Sequence, residues 1–255
     1  MPTTALRPRS VTEIVDAAFQ ILRAHYPQFV MCSALAYLPW LLIELLFVGS
    51  PDRLTSLAPG AFVIGGLGIW MTFALMSAVI IVCASQAYLG ERVDVGAALR
   101  RALPRLPRVM LAAVGRYTLL LIGALLLLLP ALYVAARFFA LTPAIVLEDA
   151  SVGGAFSRTS GLSNGRKWRV LNTIGLVALI YWIGAVGVTV LGTIPGNPVL
   201  QAVIAAFYTI LAYPVIAITE ALVYYDARIQ SEGLDIELMA GELGVVATEQ
   251  VTRLL

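Results

Sequence analysis

Apolar runs of about 20 residues recur along this chain, and a run of that length matches the hydrocarbon thickness of a bilayer. Of its 255 residues, 60% are hydrophobic and only 13% are charged. A soluble domain carries roughly 25% charged residues, so about half the usual charge is missing. The mean hydropathy is +0.90. In lipid every backbone N–H and C=O must find its partner within the protein, which leaves helices or a closed barrel. A barrel strand alternates apolar and polar residues. Leu119-Leu120-Leu121 and the five consecutive leucines at 125–129 do not. The predicted fold class is all-α, a polytopic membrane helical bundle.

The pattern divides the chain into a flexible tail (1–9), a membrane domain (10–233) and a cytosolic tail (234–255) with a weak amphipathic helix. Ser10 and Glu13 have the spacing of a capping box. Behind them Val11, Ile14, Val15, Ala18, Phe19 and Leu22 fall on one helical face, on a helix lying on the membrane surface or packed under the bundle. Spans are expected at 28–48 (kinked at Pro39), 61–88, 109–129, 131–147, 169–191 and 199–225 (kinked at Pro214). Loops are expected at 49–60 and 192–198.

The segment 131–147 decides the topology. If it crosses back, 14 basic residues share one side, from Arg7, Arg9 and Arg23 through the loops at 92–108 and 158–169 to Arg228 and Arg253. Only Arg53 is then left on the other. The positive-inside rule favours that arrangement, with six spans and both termini in the cytoplasm. Sixteen of the 17 basic residues are Arg and one is Lys; with abundant Ala, Leu and Val, this usage fits a GC-rich bacterial genome.

An internal repeat points the same way. Val152-Gly153-Gly154-Ala155-Phe156-Ser157-Arg158 shares the pattern V-G-small-Ala-(Leu/Phe)-x-Arg with Val95-Gly96-Ala97-Ala98-Leu99-Arg100-Arg101. Val15-Asp16-Ala17-Ala18-Phe19 is a looser copy. Each precedes an apolar stretch, so the six spans read as three hairpins, each preceded by a short cytosolic amphipathic helix.

Four ionisable residues fall inside spans: Glu44, Arg116, Arg137 and Glu220. A charge there costs ~2.5–3.5 kcal/mol on insertion scales and should face a partner. At ~1.5 Å per residue, Arg116 and Glu220 lie roughly 10 Å from the inner ends of their spans, and Arg137 and Glu44 roughly 10 Å from the outer ends. The expectation is two depth-matched ion pairs, Arg116–Glu220 and Arg137–Glu44, either structural or lining a transport path. Arg166-Lys167-Trp168-Arg169 reads as a topology signal and as a candidate contact for anionic lipid, worth ~1 kcal/mol per basic residue.

Little else carries chemistry. With a single histidine, His25, the zinc-protease HExxH pattern is absent, and no GxSxG nucleophile elbow is expected. Cys32 and Cys83 lie in apolar runs and read as core residues rather than as a disulfide. A net charge of +2 argues against nucleic acid. No cofactor, metal site or catalytic residue is expected.

Arg137-Phe138-Phe139-Ala140-Leu141-Thr142-Pro143-Ala144, with Phe156-Ser157-Arg158 and Gly165-Arg166-Lys167-Trp168-Arg169 following, resembles the glycerophosphoryl diester phosphodiesterase membrane-domain family. Tyr224-Tyr225-Asp226-Ala227-Arg228 and the opening at 11–23 resemble it too. The resemblance implies a six-helix bacterial inner-membrane protein without the soluble barrel that holds the family's catalytic machinery. The expected role is a non-catalytic scaffold or accessory subunit of a membrane assembly, with membrane lipids and other subunits as partners. The alternative is a transporter or lipid-handling protein that uses the intramembrane Arg and Glu residues.

Overall fold

Proline and glycine positions explain where this chain breaks into helices. The computed structural model describes residues 10–48 and 58–232, and the expectations for the two tails and for loop positions 49–57 fall outside them. Eleven α-helices follow in order among the described residues: α1 (Val11–Ala24), α2 (Tyr26–Val48), α3 (Ala58–Tyr88), α4 (Val95–Ala102), α5 (Leu106–Leu126), α6 (Leu128–Arg137), α7 (Leu141–Glu148), α8 (Val152–Leu162), α9 (Lys167–Thr193), α10 (Pro198–Ala212) and α11 (Pro214–Glu232). A 3₁₀ turn, Leu103–Arg105, joins α4 to α5.

The expected turn at Pro130 sits three residues earlier. Leu127 is extended, with φ −176° and ψ 160°, and is the single non-helical residue between α5 and α6. Pro130 stands in the first turn of α6, where a missing N–H costs nothing, and its ring excludes the carbonyl four residues back, at Leu126. Gly123 makes so tight a hairpin feasible: a Cβ there would lie 2.8 Å from the Ala131 nitrogen. By the same rule Pro143 excludes a helical carbonyl at Phe139. The segment expected as one span, 131–147, is therefore two helices broken at residues 138–140. Pro214 divides the last span between α10 and α11, whereas Pro39 is accommodated inside α2.

Two helices form the centre. α11 buries nearly every residue from Pro214 to Ala227, and α3 buries Met76 to Ser85 without interruption. They pack against each other, and α1, α2, α7 and α9 pack around them. Tyr225 of α11 ties the pair: it stacks on Tyr88 at 5.0 Å, and its hydroxyl lies 2.6 Å from Ser85 Oγ. Cys32 and Cys83 are both fully buried free thiols, with sulfurs 3.4 Å apart between α2 and α3.

The short helices are capped alike. Ser10, Asp94 and Ser151 each accept the backbone N–H three residues on, from Glu13, Ala97 and Gly154, which satisfies one orphan donor of each helix. The capping box of Ser10 and Glu13 is complete. α1 buries Ile14, Ala18 and Leu22 against α11 and α9, so it packs under the bundle. The central alanines of the three repeat copies, Ala18, Ala98 and Ala155, are all fully buried. Among the described residues, six helical segments are long and apolar enough to cross a membrane: Tyr26–Leu46, Gly65–Tyr88, Val95–Leu126, Leu128–Glu148, Lys167–Thr193 and Pro198–Glu232.

Candidate functional site

The densest polar structure gathers at the C-terminal end of α7. That helix ends at Asp149, which adopts a left-handed φ of 57°, a conformation Asp tolerates better than most residues. The Asp149 and Ala150 N–H groups both donate to the Ala144 carbonyl. Two further carbonyls would be orphaned at this helix end, and Arg101 takes them: Nε donates to Val146 O at 2.9 Å and Nη2 to Leu147 O at 2.6 Å. Arg105 and Arg108 each meet the Asp149 carboxylate at 2.9 Å.

Arg158 of α8 grips the same helix end from the other side. It holds Glu148 bidentately at 2.8 and 2.9 Å and also binds Glu232. Arg228 bridges the same two carboxylates, at 3.3 Å to Glu148 and 3.1 Å to Glu232. Alongside, Arg166 donates to the Gln230 side chain and carbonyl, and Arg169 pairs with Asp226 at 3.1 Å. Seven arginines thus join α4, α5, α7, α8, α9 and α11. Arg101 and Arg158, which occupy the same place in their repeat copies, both serve α7.

The electrostatics suit clamping and not proton transfer. Hydrogen bonding to Glu148, then to Glu232, pushes the Arg158 guanidinium above its already high value. The Arg108 hydrogen bond, with Arg105 beside it, holds Asp149 below the usual aspartate range. Both groups stay charged at any physiological pH, whereas an acid–base catalyst titrates near its working pH.

The intramembrane charges do not pair as expected. Among the described residues no N···O contact within 4 Å joins Arg116 to Glu220 or Arg137 to Glu44. Arg116 lies in electrostatic reach of Glu220, but its guanidinium sits 5.2 Å from the Tyr117 ring. Arg137 donates to the Tyr133 hydroxyl at 2.7 Å and lies against the Tyr133 and Phe138 rings. The turn explains the miss. With Gly123 against Ala131, residue 137 returns to the level of Tyr117, so a depth counted from Pro130 overstates its distance from the charged end. α6 packs against α5 and α9, while α2, which carries Glu44, packs chiefly on α3 and α10.

The segment expected to meet lipid divides. Arg166 and Arg169 point into the bundle and are engaged, whereas Lys167 turns to the Tyr133 ring, 5.2 Å away, and Trp168 is 71% exposed. His25 stands at the junction of α1 and α2, its backbone N–H donating to Ile21 O. One pattern escaped the sequence reading: Gly161-Leu162-Ser163-Asn164-Gly165 matches G-x-S-x-G. That motif works on a strand-to-helix turn with an exposed nucleophile. Ser163 instead follows helix α8, is fully buried, and donates to Ser160 O.

What this geometry defines is an all-α protein with, among the described residues, six helical segments fit to cross a membrane. No known protein family, curated protein or solved structure matches the chain.

Proposed function

We propose that this chain is a non-catalytic scaffold or accessory subunit of a membrane assembly, seated in a bacterial cytoplasmic membrane with both termini inside. The observation that carries the reading is the α5–α6 hairpin tip, where Leu125, Leu126, Leu127, Leu128 and Leu129 are 68–79% exposed. Five protruding leucines, backed by a tight glycine-dependent turn, form a stiff apolar projection suited to another membrane helix. The polar groups of the charged end are, by contrast, spent on each other. Three short helices with matching caps support a fold of three hairpins, each introduced by one such helix.

Solubilisation of native membranes in mild detergent tests the proposal. Co-purification of a stoichiometric membrane protein is expected; a strictly monomeric species without a partner contradicts it. The transporter reading draws on one observation, the buried Arg116 Nε that donates no hydrogen bond. Loss of a measured flux in the Arg116→Met, Glu220→Gln double variant, with folding retained, would favour it.

A further inference from the structure

Between α6 and the start of α9 lies a cavity of about 420 Å³, within the roughly 300–1,000 Å³ range of small-molecule sites. Leu129, Pro130, Leu132, Ala136 and Leu171 give it apolar walls, and Tyr133, Lys167 and Trp168 complete it. Trp168, on its rim, is exposed.

The polar groups at this cavity are unusual for the molecule. The seven arginines of the network described above meet carboxylates or carbonyls. Lys167, the chain's one lysine, lies between two such arginines in sequence yet faces the other way, its Nζ 5.2 Å from the Tyr133 ring centroid. Arg137, one turn further along α6, reaches the same tyrosine, 5.8 Å from the ring and hydrogen-bonded to its hydroxyl. Two cations therefore converge on one aromatic ring, and among the described residues neither has a carboxylate within 4 Å. Cation–π contact offsets part of the charge, but Arg137 falls inside an expected span, where a cation calls for an anion. The expected counterion, Glu44, is on a helix that α6 does not pack against.

We propose that the missing anion is the headgroup phosphate of one anionic glycerophospholipid, bound between Lys167 and Arg137, with an acyl chain in the cavity. The apolar walls suit a chain, the two cations suit a phosphate, and the exposed rim at Trp168 lets the second chain remain in the bilayer. Tyr133 positions both cations, and Trp168 marks the interfacial level at which its indole anchors. The site does not depend on the scaffold proposal: a protein that binds no partner can still hold this lipid.

The test is native mass spectrometry of the full chain, purified in mild detergent and exposed to equimolar phosphatidylglycerol and phosphatidylcholine. One phosphatidylglycerol should be retained in preference. Lys167→Gln should reduce that preference about fivefold, the factor equivalent to ~1 kcal/mol for one basic residue. Leu171→Trp, which fills the cavity, should abolish retention, while Arg100→Gln, an exposed arginine elsewhere on the charged end, should leave it unchanged. As a check that needs no variant, phosphatidylglycerol with a photoreactive acyl chain should label peptides from α6 and the first turn of α9. Equal retention of the two lipids, displacement by oleate at equal concentration, or labels spread evenly over the spans would overturn the proposal. So would an unchanged preference in Lys167→Gln, or an equal loss in Arg100→Gln.

Discussion

Arg158 meets Glu148 through two parallel contacts, Nε to Oε2 at 2.8 Å and Nη2 to Oε1 at 2.9 Å. The pair joins α8 to the end of α7, and Glu232 joins both to the end of α11. A planar guanidinium can serve two carboxylates in this way; an ammonium cannot. The three side chains are each about a quarter exposed, between the surface case, where an ion pair contributes little, and the buried one, where removing a partner is costly.

Arg158→Gln should accordingly lower stability by about 1–2 kcal/mol, and Arg158→Lys should recover less than half of the loss. Thermal unfolding in a single detergent measures both. A neutral Arg158→Gln would mean that the network does not hold the three helix ends together.

Asp149 gives the charged end a pH signature. Its two arginines depress its folded value, so its contribution is fully present above the usual aspartate value of about 3.9. It is lost as pH falls through the lower folded value. The thermal midpoint of the wild type should fall across that acid window more steeply than that of Asp149→Asn. Parallel curves would show that the carboxylate adds nothing through its charge.

The hairpin tip rests on Gly123. In Gly123→Ala the new methyl meets backbone atoms of Pro130 and Ala131 at 2.8–3.0 Å, which cannot rotate away as a side chain would. A loss of about 1–3 kcal/mol is expected, read as a lower thermal midpoint. Gly175→Ala is the control, since nothing lies within 4 Å of a Cβ there.

Arg137 and Glu44 should behave independently. Single and double variants (Arg137→Met, Glu44→Gln) should have additive stabilities to within about 0.5 kcal/mol, as sites without shared contacts do. A larger coupling energy would restore the ion pair that the helix packing denies.

These residues also show what a sequence can convey about such a fold. Runs of bilayer length revealed the six segments, among the described residues, that are fit to cross a membrane, and the Ser10–Glu13 spacing revealed the first cap, because hydrophobic length and capping are local properties. Pro130 and Pro143 were visible too. Their exclusion acts on the carbonyl four residues earlier, however, so the real breaks fall at Leu127 and at 138–140 rather than at the prolines. That shift moved Arg137 away from Glu44. The use of Arg166 and Arg169 was hidden for another reason: their partners, Gln230 and Asp226, lie about sixty residues away, and only the packing of α9 on α11 brings them together. Ser163 is the converse case, a local pattern without the strand-to-helix turn that would give it a purpose.

The central claim is that the exposed flank of the α5–α6 hairpin receives another membrane protein. The most direct measurement places a photo-crosslinking residue at Leu125 in native membranes, with Arg100 as the control position. A discrete protein adduct of reproducible mass at Leu125, absent at Arg100, is the predicted result. Adducts with lipid alone at Leu125 would contradict it.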